Sequence, residues 1–177
     1  MQIHQAEWDD DDVQRLTTEQ QDEVRARYGG RDEPGAHPTA ADVGVVLVAR
    51  DDDGTPLGCG ALRDLGGGVA EVKRMYVVPA ARGRGVSKAV LAGLEDAARE
   101  QGWTTLRLET GPLQPEAIGL YEGAGYRPIA AFGAYVGDPD AEESLFLERV
   151  LEGGTPAPAS PAPAGHAPRD SATRLIQ

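Results

Sequence analysis

The stretch Val72–Leu94, VKRMYVVPAARGRGVSKAVLAGL, reads as a strand, a glycine turn and a helix in immediate succession. Val72, Met75, Tyr76, Val77 and Val78 supply the branched and aromatic residues of a buried strand, and Pro79, which has no amide for a ladder, stops it. Arg82-Gly83-Arg84-Gly85-Val86-Ser87 follows, after which Val86, Val90, Leu94 and Ala97 recur at helical spacing on one face. A helix that opens in a glycine turn presents unpaired N–H groups and the positive end of its dipole, with no side chain in the way, and so suits phosphate. Charge agrees. Lys73, Arg74, Arg82, Arg84 and Lys88 put five positive charges and no acid in this stretch, while the chain carries a net charge of -12, so the remainder sums to -17. A basic island in an acidic chain points to one polyanionic small ligand rather than to nucleic acid, which needs a broad positive footprint.

Two familiar phosphate loops fail on register. A dinucleotide fingerprint needs a third glycine where Lys88 stands, and a Walker A loop needs Gly-Lys-Ser/Thr, which is absent. Arg82-x-x-Gly85-x-Ser87 instead resembles the Q/R-x-x-G-x-G/A motif of the GNAT acyltransferase superfamily, with Ser87 where Gly or Ala is usual. The resemblance implies that Arg82, Gly83, Arg84, Gly85, Val86, Ser87 and Lys88 hold the pyrophosphate of acetyl-CoA.

The 177 residues suit one ordinary domain. A single cysteine, Cys59, excludes an internal disulfide, and His4, His37 and His166 lack metal-ligand spacing, so no metal is expected. The N-terminus has neither a positive region nor an apolar run, and nothing approaches the roughly 18 apolar residues of a membrane span, so a cytoplasmic protein without a membrane partner is expected. Gln2 to Gln5 suggests a short strand, and the acids Asp9 to Asp12 precede a helix carrying Val13, Leu16, Val24 and Tyr28. The Gly- and Pro-rich loop Gly29 to Ala41 is a candidate lid or substrate wall. Val43 to Val48 and Leu57 to Leu65 flank an Asp-Gly hairpin turn, and Gly66-Gly67-Gly68 leads into the opening strand, giving an antiparallel meander. Trp103 to Glu109 completes a strand-helix-strand unit whose strands should be parallel. Pro115 opens a short helix. Tyr126 to Phe132 and Ser144 to Leu151 read as the last two strands, with a loop from Gly133 to Glu143 near the substrate. From Glu152 the near-alternate prolines cannot bury a core, so residues 152–177 read as a disordered Pro/Ala-rich tail behind a domain of residues 1–151.

Gln114-Pro-Glu-Ala117-Ile-Gly-Leu-Tyr121-Glu-Gly-Ala-Gly125-Tyr126 resembles the second GNAT signature, N-x-x-A-x-x-L-Y-x-x-x-G-F/Y. Gln114 stands for the Asn that contacts the cofactor arm. Two motifs in order imply an α/β fold: a mixed, mostly antiparallel sheet of six or seven strands flanked by about four helices, with the central strand pair splayed. The sequence looks like a bacterial member of undefined substrate.

Thioester aminolysis needs an uncharged amine, donors for the oxyanion of a tetrahedral intermediate, and a proton for the leaving thiolate. By resemblance, the backbone at Met75, Tyr76 and Val77 holds the pantetheine arm and polarises the carbonyl, and Tyr121 is the catalytic acid. A phenol with pKa about 10 stays protonated at neutral pH and delivers its proton to a thiolate of pKa about 8.5 at an uphill cost of about 2 kcal/mol. Glu71, on the central strand, is the first candidate base and Glu109 the second, while Arg74 and Arg107 are candidates to orient an acceptor carboxylate. The expected partner of acetyl-CoA is a small-molecule amine, with a homodimer left open. The alternatives are an acetyltransferase of protein lysine or N-terminal amines, and a non-catalytic acyl-CoA sensor.

Overall fold

The computed structural model describes residues 1–152, and the expected Pro/Ala-rich tail lies, from residue 153 on, outside the described residues. Seven strands and three α-helices succeed one another as β1 (Gln2–Gln5), α1 (Asp11–Arg27), β2 (Val43–Arg50), β3 (Pro56–Gly66), β4 (Val69–Val77), α2 (Val86–Glu100), β5 (Thr105–Thr110), α3 (Pro115–Gly123), β6 (Arg127–Ile129) and β7 (Leu145–Val150). Short 3-10 turns occupy Pro79–Ala81, Gly133–Tyr135 and Pro139–Ala141. The strands form one sheet in the order β1-β2-β3-β4-β5-β7-β6. Every neighbouring pair is antiparallel except β4 and β5, which run parallel, as a strand-helix-strand crossover requires.

Alternation along the strands decides which layer each residue joins. Val45, Leu47 and Ala49 of β2 pack into the core beneath α2, with Val86, Val90, Leu91 and Leu94. Val46 and Val48 point the other way, onto Val13 and Leu16 of α1. The four large apolar side chains that α2 buries contribute about 1.5–3 kcal/mol each, which far exceeds the helix's own propensity. α1 begins where Asp10 accepts hydrogen bonds from the amides of Asp12 (2.9 Å) and Val13 (3.4 Å), a cap worth about 1 kcal/mol. Among the described residues no helix is long and apolar enough to cross a membrane.

Two local differences from the expected elements have physical causes. Only Arg127–Ile129 of the expected strand Tyr126 to Phe132 pairs with β7. Tyr126 is drawn into the main core, and Phe132 turns aside to stack edge-on with Tyr135 and Phe146 at ring separations of 5.3 and 5.8 Å. The Gly29–Ala41 segment contains no helix, so three α-helices flank the sheet.

Candidate active site: the cleft where β4 and β5 part

β4 and β5 are in register only at Val69 with Thr105, Ala70 with Leu106 and Glu71 with Arg107. Beyond Glu71 the strands separate, so the edge of β4 from Val72 to Val77 that faces β5 has no strand beside it. A bulge in β4 accentuates the parting. Cys59 and Ala61 of β3 pair with Tyr76 and Lys73, leaving one extra residue on β4, and Arg74 takes a left-handed φ of 56° there. The Cys59 thiol, buried at this point and pushed up to about 12 by desolvation, donates to the Arg74 carbonyl at 3.4 Å and is no nucleophile.

The split opens a cleft of about 630 Å³, within the usual range for a ligand site. One wall is β4 from Val72 to Val77, and the opposite wall runs from Glu109 to Pro112. α1 closes one side through Gln20, Glu23, Val24 and Arg27, and α3 contributes Ala117, Leu120 and Tyr121. Met75, Tyr76, Val77, Arg82, Gly83, Gly85, Val86, Ser87, Gln114, Glu109 and Tyr121 all line this one space. Arg84, Lys88 and Glu71 do not.

At the mouth, α2 starts on Gly85, whose φ of 81° and ψ of 9° favour glycine. Among the described residues the amides of Gly83, Arg84, Gly85, Val86, Ser87 and Lys88 donate to no protein acceptor. A Cβ built on Gly83 or Gly85 would meet nothing within 4 Å, so the space over these amides is open. Six consecutive free N–H groups at a helix start form a cradle that fits a pyrophosphate. The surrounding guanidinium groups are engaged elsewhere. Arg82 pairs with Glu23 of α1 at 2.5 Å and Arg84 with Asp51 at 2.9 Å. Arg74 pairs with Glu33, so of the five cations in the opening stretch only Lys88 lacks a carboxylate partner among the described residues. The basic island is therefore compensated in space, and the backbone supplies the open donors.

Tyr121 is buried on α3 with its ring edge-on to Tyr126 at 5.7 Å. Among the described residues, the buried side-chain atoms left without a partner are Gln20 Oε1 and the Tyr126 hydroxyl. Tyr121 lines the cleft, and its hydroxyl has no protein partner among the described residues. Burial, with the charges of Glu109 and Glu33 nearby, pushes its pKa up, so the phenol keeps its proton at any physiological pH.

Three carboxylates separate by environment. Glu109 lines the cleft and accepts from Ser144 Oγ at 2.7 Å. Burial raises its pKa above 4.5, against the Ser144 hydrogen bond and the Lys73 charge that lower it. Glu71, the first-ranked base from sequence, is fully buried and faces away from the cleft space. Arg63 clamps its Oε2 through Nη2 at 2.5 Å and Nε at 3.1 Å, and the Tyr135 hydroxyl donates to its Oε1 at 2.6 Å. The difference in placement follows from register: Glu71 is the last residue of β4 paired with β5, while Glu109 lies two places past its partner Arg107, where the two strands have parted. Arg107 is taken up by Glu148 at 2.7 Å and the Phe132 ring, and Arg74 by Glu33. Glu33 itself went unread. It lines the cleft beside Gln20, whose Nε2 donates to it at 2.5 Å; burial would raise its pKa, but Arg74, Lys73 and the hydrogen bonds lower it. An acid in a loop without periodicity carries no sequence signal for such a position. Among the described residues no group of three His, Cys, Asp or Glu side chains gathers as for a metal.

A parted parallel strand pair with a helix-capping amide cradle at its mouth defines an acetyltransferase of the GNAT class. The chain matches the acetyltransferase (GNAT) family over residues 2–126 and belongs to it. An IAA acetyltransferase of Azospirillum brasilense is 46% identical over 106 residues, covering 59% of this chain and 67% of that protein. Four other curated relatives are matched over 24% to 62% of their own length. A solved structure from Klebsiella pneumoniae, of a protein assigned as an acyl-CoA N-acyltransferase, is 32% identical with a TM-score of 0.72, covering 85% of this chain and 97% of that one. The paiA N-acetyltransferase of Thermoplasma acidophilum, solved in complex with coenzyme A, shares the fold with a TM-score of 0.60 at 16% identity, over 85% of this chain and 99% of that one.

Proposed function

We propose that this chain transfers the acetyl group of acetyl-CoA to a primary amine of a small molecule by direct attack, in a cytoplasmic setting. The observation that carries the reading is one continuous cleft that runs from the free amides at Gly83, Gly85, Val86 and Ser87, along the unpaired edge of β4, to Tyr121. The cofactor would supply an activated thioester. In this reading the amide cradle and Ser87 bind the pyrophosphate, with Arg82 and Arg84 exchanging their present carboxylates for it. The β4 edge at Met75, Tyr76 and Val77 orients the pantetheine arm, and Gln114, at the start of α3, borders it. Tyr121 delivers its proton to the leaving sulfur. Glu109 takes the proton from the amine, because burial makes it a stronger base than an ordinary carboxylate and it stands on the cleft wall. Glu71 remains a structural anion.

A small-molecule acceptor is supported by the shape of the site, enclosed between α1 and the two long loops, and by the name of the Azospirillum relative. The test is incubation with acetyl-CoA and a panel of amines and lysine peptides, following free thiol. Thiol release with small amines is the expected result. Coenzyme A binding with no thiol release from any acceptor would refute the catalytic reading and leave a binding protein.

A further inference from the structure

Two residues past the last paired rung, Glu71 with Arg107, the register sets Lys73 of β4 opposite Glu109 of β5. Rungs in a parallel sheet share a face, and alternate residues along each strand return to it, so Lys73 and Glu109 stand on the same face on opposite lips of the split. Their neighbours agree. The Lys73 ammonium lies over the Tyr135 ring at 5.6 Å, and the preceding Arg107 over the Phe132 ring at 5.6 Å, both in the same aromatic cluster. Both Lys73 and Glu109 line the cleft, yet they form no ion pair among the described residues. They are an ammonium and a carboxylate aligned and held apart.

Lys73 also lacks a full complement of acceptors. Its side chain is only 6% exposed, and its Nζ donates to the Tyr135 hydroxyl at 2.9 Å. Glu71 Oε1, at 3.7 Å, is beyond hydrogen-bond reach and already accepts from Tyr135. Arg63 holds the other oxygen of Glu71 through two hydrogen bonds. Arg63, Lys73 and Glu71 thus form a buried group of two cations and one anion. The neighbouring Arg74 and Glu33 pair with each other, so the positive charge of Lys73 in excess of Glu71 is balanced only across the split, by Glu109. A buried ammonium with N–H groups left over, on a residue that lines a ligand cleft, calls for an anion there. Glu109 similarly commits one oxygen to Ser144 and keeps the other for a cation or N–H.

We propose that the acceptor is an amino acid, a molecule carrying amine and carboxylate together, whose carboxylate is held by Lys73 while its amine faces Glu109 across the split. This rests on the acyl-transfer reading above and narrows it. A simple amine or polyamine would bring a second cation beside Lys73 and leave its charge unmatched. A zwitterion completes both lips at once, and the aligned charges orient it with the nitrogen toward the wall bearing the base. Lys73 acts here as a specificity residue, and Tyr135, bridging Lys73 to Glu71, as the residue that positions it.

The experiment compares kcat/KM, by thiol release, for the protein amino acids, each beside its own carboxamide and its decarboxylated amine. These pairs keep the nucleophile and remove the anion. The proposal expects at least one amino acid to exceed its carboxamide and its decarboxylated amine by at least 10-fold, with Lys73→Met raising KM for that amino acid by a similar factor and Lys73→Arg restoring part of it. A purely structural role for Lys73 would not distinguish an acid from its amide. Carboxamides or simple amines turning over as well as the acids overturn the amino-acid assignment and leave the acetyltransferase reading standing. Absence of thiol release with every acceptor, in a protein that binds coenzyme A, removes both. The substrate comparison uses the native chain, so it decides the matter even where Lys73→Met does not fold.

Discussion

Gly85→Glu and Gly85→Ala together test the phosphate cradle quantitatively. Gly85 caps α2 with a φ of 81°, and a Cβ there would meet no atom within 4 Å. Any side chain therefore costs the fold backbone strain alone, about 1–2 kcal/mol. In a domain of this size that lowers the melting temperature by about 2–4 °C for each kcal/mol. The strain is present with or without ligand, so it leaves affinity unchanged. Affinity falls only if a ligand occupies the space that is now open. A glutamate placed over the free amides would take up or repel the donors meant for a phosphate. The loss of two hydrogen bonds to a charged group, at about 1.5–3 kcal/mol each, amounts to roughly 100-fold to 10,000-fold in Kd. Gly85→Ala should lose less, because it adds volume without charge. Calorimetric titration with coenzyme A measures the affinity, and differential scanning calorimetry checks the strain. Coenzyme A binding to Gly85→Glu with native affinity, in a protein that has lost only the expected few degrees, would refute the cradle.

Three further outcomes follow from the same geometry. Tyr121→Phe removes the proton and keeps the ring, so turnover with acetyl-CoA should drop about 100-fold at nearly unchanged coenzyme A affinity, and a thioester with a more acidic thiol should recover much of the rate; full turnover in the variant would make Tyr121 a packing residue. Glu109→Gln should lose activity and gain stability at neutral pH: a carboxyl whose pKa is raised by folding stabilises the fold below about 4.5 and loses that contribution as pH rises through its native value, so the variant's advantage in urea melts should vanish toward pH 4. An advantage that grows on acidification would contradict the burial argument. Glu71→Ala leaves Arg63 and Lys73 buried without their anion and should cost about 3–5 kcal/mol by urea unfolding. Wild-type stability combined with lost turnover would return Glu71 to the role of base.

The helix and turns that frame the site were legible because each rests on local chemistry. Val86, Val90 and Leu94 declare the buried face of α2, Gly85 its start, and Asp51 to Gly54 the hairpin between β2 and β3. The choice between Glu71 and Glu109 was not local. It depends on where the β4–β5 ladder stops, just past Glu71, and no periodicity encodes that point. The same holds for Glu33, brought to Arg74 from 41 positions away in sequence. Charge counting along the chain also misled in one respect, since Glu33, Glu23 and Asp51 come from three separate segments to pair with Arg74, Arg82 and Arg84 of a stretch that looks nakedly basic in one dimension.

The two long loops meet at Gly35, whose amide donates to Asp138 Oδ2 at 3.1 Å and where a Cβ would lie 2.5 Å from the Tyr135 ring. Tyr135 in turn holds Lys73 and Glu71. A genetic screen for lost activity would therefore recover Gly35 alongside Lys73. Any side chain at that position would shove the phenol off its two partners, and a residue that itself binds nothing would be mistaken for part of the chemistry.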